Sequence, residues 1–489
     1  MLLYSEHTWG AHCSISRPDD PFTTDQWRVK QTFAVDADRQ SRELLAAVIA
    51  VRPAAPSPIP AVDVWNTTQW PRTDLVILPK DLALKGDTVC LSDGKLVSSQ
   101  RLASGELAFL ATDVPPFGAK RFRIDAEEVK IQGSAQADAV GVSTSSLKVE
   151  LDAVSGAIKS LQAAAVDAEF VDPQAAVAIN DFRYVLGTDT QAAQKNGPVQ
   201  IRVVDAGPLV ATLRIESDAP GCERLVREVR VIDGLDRVEL ANHVDRKPVR
   251  EKDAVHFGFG FHIPDGTVRM ETPWAVVRLN QDQLAGACRN WFTVQRWVDV
   301  SNADRGITWA PLDAPLMQTG AMTANLLGSV PLDQWLTRAI ESPTIYSWAQ
   351  NNHWHTNYKA DQPGVTTFRY HLRPHAGGYN AADAARFGVE STRPLIPVPA
   401  AETDPLPPSL LSVDSPGVIV ETLKPSRDGS AYVLRLFDVS GQGGQVQLHW
   451  REAKPKAMWL SDLSEQAGTP IAGSVQMPPF GAVTVRVDR

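Results

Sequence analysis

REVRVIDGLDRVELANHVD, residues 227–245, decides the fold class: on either side of a Gly-Leu-Asp turn, apolar side chains alternate with charged or polar ones. A period of two is that of a β-strand with one face buried, whereas a helix would repeat every 3.6 residues. Working outward, the same alternation recurs in LKVELD (147–152), VQIRVVD (199–205), ATLRIES (211–217), HFGFGFHI (256–263), TFRYHLR (367–373), AYVLRLF (431–437) and AVTVRV (482–487). Most of these runs are bounded by Gly, Pro, Asp or Asn, the residues that turn a chain. The expected fold is mainly β, built of antiparallel β-sandwiches.

The N-terminal stretch departs from this pattern. Over residues 24–51, Phe33, Ala37, Leu44, Leu45, Val48 and Ile49 fall on a 3.6-residue stripe, with Thr23 and Gln26 as a capping box, so one long helix is predicted. PAAPSPIPA (53–61) ends it, because proline lacks the amide donor a helix needs. The rest of the chain offers few helical neighbours, only PLDQWLTRAIE (331–341) and NAADAARFG (380–388), so the stripe is expected to lie partly exposed. A short repeat, VPPFGAKRFRI (114–124) and MPPFGAVTVRV (477–487), reads as two strand-entry turns, and RPLIPVPAAETDPLPPS (393–409) reads as a second boundary.

With 489 residues, 43% hydrophobic and 21% charged, the chain has room for several folded domains. Its net charge of -9, without a basic run, excludes nucleic acid as a partner. The longest apolar runs fall short of the ~20 residues a bilayer span requires, and MLLYSEHTWG turns polar too early for a signal peptide. A soluble cytoplasmic protein is expected, with no membrane partner. Cys13, Cys90, Cys222 and Cys288 show no CxxC spacing, so they signal neither a disulfide framework nor a thiolate metal site. There is no Walker loop, GxSxG elbow or dinucleotide fingerprint.

Histidines supply the remaining chemistry. His243-Val244-Asp245 is an HxD pair on a strand, but without convergent partners the reading is structural. His353 and His355 flank Trp354, with His371 and His375 following. Strand spacing would place the first two on one face, read here as a solvated strand face with Trp354 packed inward. Asn66-Thr67-Thr68 fits the N-glycosylation sequon, taken as chance in a chain without an export signal.

Five stretches carry a resemblance: YSEHTWGAHCSI (4–15) with the helix that follows it, WNTTQWPRTDLVILP (65–79), the two PPFGA turns, LKVELDAVSGAIKSL (147–161) and NNHWHTNYKADQPGVTTFRYHLRPH (351–375). In this order they resemble the C-terminal half of the glycoside hydrolase family 38 α-mannosidases. The resemblance implies a helical bundle remnant (1–56), a small β domain (57–125), a super β-sandwich like that of galactose mutarotases (126–395) and a C-terminal β-sandwich (396–489). It implies a zinc-dependent enzyme whose catalytic barrel, with the nucleophile and most zinc ligands, has no counterpart in these stretches. No catalytic residue is therefore assigned. His7 looks like the zinc-binding histidine of the bundle, with Thr8 where the family motif has Asp. Asn352, Trp354, Asn357 and Tyr358 are the implied substrate contacts.

Two functions follow. The leading one is the C-terminal portion of an α-mannosidase-like glycoside hydrolase, expected to be inactive without a separately encoded barrel. The alternative is a non-catalytic carbohydrate-binding or scaffolding protein.

Overall fold

The computed structural model describes residues 10–49, 59–126, 133–324, 335–353, 358–406, 408–451 and 454–489. All the alternating runs quoted above are strands. The run that opened the analysis forms two of them, Cys222–Ile232 and Val238–Arg246, paired antiparallel with Val229 opposite Leu240. Side chains of Val238–Arg246 alternate between buried and half-buried along the strand's whole length.

Among the described residues the strands assemble into three sandwiches. The largest faces a ten-stranded sheet against a nine-stranded one, around a core that includes Phe182, Phe257, Phe259, Trp309 and Tyr370. Strand Asp253–Gly260, the HFGF region, is buried along both faces. Gly258 and Gly260 make that possible, since a Cβ on either would lie 2.7 Å from the Val177 side chain or 2.1 Å from its carbonyl oxygen. The small sandwich packs a five-stranded sheet on a three-stranded one around Val64, Val76, Phe109 and Phe122. Its five-stranded sheet is completed by Ile396–Ala400, which pairs with Ala61–Asn66 from beyond the boundary expected at 395/396. The last sandwich closes around Val420, Leu434, Leu436 and Val485.

Both PPFG segments are turns that lead into a strand, Gly118–Asp125 and Ala482–Asp488. In each the phenylalanine takes a left-handed φ, 40° at Phe117 and 50° at Phe480. Phe117 uses this conformation to reach out of the small sandwich and pack on the core of the last one.

Helix α1, Pro21–Ile49, starts three residues before the expected position, and of its residues only Thr23 is buried. Leu44, Leu45 and Val48 are 68%, 45% and 63% exposed, so the apolar stripe lies open. The expected capping box does not form. Asp20 caps the helix instead, its Oδ1 accepting from the Phe22 amide at 2.9 Å, with Pro21 in the first helical position where no amide is needed. A second helix, α2 (Ala381–Thr392), is capped by Asn380 and wedges Ala385 and Val389 against Ile419, Phe437 and Trp70, tying the three sandwiches together.

The helix expected at 331–341 is absent from its described part. Residues 335–341 are irregular, because asparagine side chains capture the amides a helix would use: Leu336 N–H donates to Asn290 Oδ1 (3.0 Å) and Ala339 N–H to Asn280 Oδ1 (2.8 Å). Asn66 of the sequon is 1% exposed. Its amide donates to Trp70 and Val114 carbonyls and its Oδ1 accepts from Thr68, leaving no face for a glycan.

Candidate functional site

The segment before α1 and the loop after strand Thr344–Asn351 meet at one corner of the large sandwich. The N-terminal segment is held to the helix by the residues first expected to cap it: Gln26 Oε1 accepts from the His12 amide (3.1 Å) and Thr23 Oγ1 donates to the His12 carbonyl (3.3 Å). Trp27 Nε1 donates to Ser14 Oγ (3.1 Å). Arg250, in the charged turn between two core strands, then joins three pieces of chain. Its guanidinium grips Asp19 through two bonds (2.6 and 2.7 Å) and reaches Asp361 Oδ2 through Nε (2.8 Å). The result is a cleft of about 380 Å³ walled by Trp27, Arg28, Gln31, Lys359 and Asp361. An indole beside carboxylates, amide and ammonium groups is the equipment for recognising hydroxyls against an apolar ring face.

Proton transfer is a different matter. The Arg250 guanidinium bonded to Asp19 holds that carboxyl below its ordinary range, keeping it ionised. A general acid needs the opposite shift.

Of the implied substrate contacts, Trp354 and Asn357 lie outside the described residues, as do His355 and His7. Tyr358 is half-buried at the same loop. Asn352 is committed elsewhere: its Nδ2 lies 3.0, 3.2 and 3.0 Å from the carbonyls of Val249, Glu251 and Ala360. It thereby staples the turn bearing Arg250 to the loop bearing Asp361. Asn352→Ala is expected to destabilise the protein by roughly 1–3 kcal/mol, since partly buried carbonyls lose their donor. Amide exchange should quicken at residues 249–252 and 358–361, and unchanged exchange there would refute the staple.

His243, His353, His371 and His375 are each held by contacts within the fold. The strand expected to carry His353 ends at Asn351, and His353 is 1% exposed rather than on a solvated face. It packs edge-on against Trp348 at 5.9 Å, which in turn stacks on His256 at 5.6 Å. Burial pushes His353 below its usual pKa. His243 Nδ1 is 2.9 Å from Thr367 Oγ1, as the strand reading of HVD requires. His371 and His375 face Ser391 Oγ (3.1 Å) and Asp299 Oδ2 (3.0 Å) on the side covered by α2, again not a solvated face. Among the described residues no three His, Cys, Asp or Glu side chains gather to hold a metal.

Sequence reasoning did not find the corner cleft. Arg250 had only the charged turn RKPVREKD as a signal, and nothing there points to partners 231 and 111 residues away.

With this geometry in hand, the chain can be set beside known proteins. Residues 417–486 match the family "Glycosyl hydrolases family 38 C-terminal beta sandwich domain". Over 175 residues the chain is 30% identical to Alpha-mannosidase 2C1 of Mus musculus, an overlap of 35% of this chain and 15% of that protein. Two solved structures from Enterococcus faecalis share the fold. One, described as a protein in the glycosyl hydrolase family 38, has a TM-score of 0.66 at 15% identity, over 95% of this chain and 62% of its own. The other, an alpha-mannosidase from Enterococcus faecalis V583, has a TM-score of 0.68 at 14% identity, over 97% and 61%. The chain spans less than two thirds of the length of each. The last sandwich is thus similar in sequence to the family 38 C-terminal β-sandwich domain, and the chain shares the fold of about three fifths of each of the two E. faecalis proteins.

Proposed function

We propose that this chain is the non-catalytic part of an α-mannosidase-like glycoside hydrolase of carbohydrate metabolism, working with a catalytic barrel that lies outside these residues. The observation that supports this most is the one-sided overlap: nearly all of this chain lies over about three fifths of the E. faecalis α-mannosidase, 97% against 61%. Retaining hydrolysis needs two carboxylates about 5 Å apart, one of them protonated. The Asp19 and Asp361 pair instead shares one guanidinium. Zinc would belong to the complete enzyme, and the described residues do not make a zinc centre of their own.

In this reading the chain divides at 56, 125 and 395, with Ile396–Ala400 returning to complete the small sandwich. Tyr358, Trp354 and Asn357 are the sugar contacts in this reading, and Asn352 ties the turn at Val249–Glu251 to Ala360. His7 would ligate zinc only together with groups from the barrel. The open stripe of α1 supports a role as the seam against that partner. The purified chain is expected to leave an aryl α-mannoside intact with zinc added. Turnover above blank that is lost on removing a carboxylate of this chain would overturn the proposal. Carbohydrate binding or scaffolding without any catalytic partner is the second reading, favoured by the sugar-compatible walls of the cleft.

A further inference from the structure

A second concavity, of about 500 Å³, opens where the small sandwich, the outer face of the nine-stranded sheet and the last turn of α2 meet. Its floor follows from strand register. Ala241 lies between Glu228 and Arg369 on the two neighbouring strands, and in the adjacent row Glu239 lies between Arg230 and His371. A single methyl group among five long side chains leaves a hollow. Leu75 and Ile77 of the small sandwich, with Thr392 and Pro394, wall it in.

The charges around the hollow are paired. Arg237 donates to Asp74 and Glu239, each at 2.7 Å, and Arg369 makes two bonds of 2.8 Å to Asp313. Arg214 serves Glu228 (3.0 Å), Arg386 serves Glu390 (2.9 Å), and Arg230 lies 3.7 Å from Glu239. Arg72 also bonds Asp74, and Arg214 also bonds Glu216, so every carboxylate and every guanidinium lining the hollow has a partner of opposite charge. His371 adds no charge near neutrality, because burial pushes its pKa down to about 4. An ionic ligand would find its counter-charges already committed. A neutral ligand rich in hydroxyls would not, since paired carboxylates keep spare lone pairs and guanidinium groups keep spare N–H donors. Partly buried ion pairs are also poor stabilisers compared with apolar packing, so stability alone does not account for gathering so many at one junction.

We infer that this junction is a binding site for a neutral polyhydroxylated ligand the size of a mono- or disaccharide, separate from the corner cleft. The volume lies within the range of small-molecule sites, and such sites favour boundaries between domains.

The test is titration of the full chain with methyl α-mannoside, myo-inositol and inorganic phosphate, followed by calorimetry or ligand-observed NMR. Ala241→Phe fills the hollow without touching an ion pair, and Ala241→Leu serves if the larger side chain unfolds the protein. Lys359→Ala perturbs only the corner cleft. Both neutral compounds are expected to bind wild type, to bind the filled variant at least roughly tenfold more weakly, and to bind Lys359→Ala as they bind wild type. Phosphate is expected not to bind. Saturable binding that survives filling in a chain that also carries Lys359→Ala, binding of phosphate in place of the polyols, or no binding of either polyol would overturn the inference. Binding lost only in Lys359→Ala would also overturn it, while leaving the proposed function standing.

Discussion

Replacing Arg296 by methionine should cost on the order of 3–5 kcal/mol, because it strands a buried carboxylate. Arg296 joins the large sandwich to the last one. Its Nε donates to Glu271 Oε2 at 2.8 Å and a second nitrogen bonds Glu271 Oε1, while Nη2 and Nη1 reach Glu421 at 2.6 and 3.1 Å. Glu271 is 1% exposed, and burial already pushes its pKa up despite the arginine. Without the guanidinium it must either take up a proton or stay charged out of water. Denaturant unfolding measures the loss, and Glu271→Gln added to Arg296→Met should recover part of it. The last sandwich should loosen as well, with faster proteolysis in 401–410. A single variant within about 1 kcal/mol of wild type would show that the pair contributes little.

The second large effect is a dependence on pH centred on His256. The ring sits behind the ten-stranded sheet, 1% exposed and stacked on Trp348. Its Nε2 is 3.1 Å from Gln318 Oε1. The Gln318 amide nitrogen is engaged by Thr323 (2.9 Å), so the oxygen faces the imidazole, which donates to it as a neutral ring. Burial, with the neighbouring His353 adding to it, lowers the pKa to about 3. An unfolded chain takes up this proton near pH 6.5, whereas the folded one resists until about 3. Its contribution is therefore complete above 6.5 and is lost progressively as pH falls toward 3. At about 1.4 kcal/mol per pH unit, roughly 3 kcal/mol should disappear between pH 6.5 and 4. His256→Gln should make the stability profile less steep over that interval, the remaining slope belonging to the buried His353 and His371. Parallel wild-type and variant profiles would mean that His256 is not the group responsible.

The strands were legible because a period of two leaves a local trace, and the long helix because a 3.6-residue stripe does the same. What escaped was decided by partners distant in sequence or by single side chains. Thr23 and Gln26 have the spacing of a capping box, yet both are drawn to the His12 backbone, and Asp20 caps in their place. The 331–341 segment has helical periodicity, yet Asn280 and Asn290, roughly fifty residues earlier, take amides from its described part. Asn352 was implied as a sugar contact by the family resemblance, and three backbone carbonyls claim its amide. The corner cleft depends on Arg250 meeting two aspartates across the fold, which no local pattern encodes.

The pairing of Ile396–Ala400 with Ala61–Asn66 sets a timetable for biosynthesis. The small sandwich begins near residue 61 but receives its last strand only once the whole central sandwich has been translated. At 5–20 residues per second, that strand follows roughly 20–70 s after the first. Throughout that interval Ala61–Asn66 presents an open row of amides and carbonyls on the ribosome-bound chain, a template for pairing with another nascent copy. A ribosome stalled before residue 396 should therefore hold a nascent chain that recruits holdase chaperones, and one stalled well past residue 400 should release them.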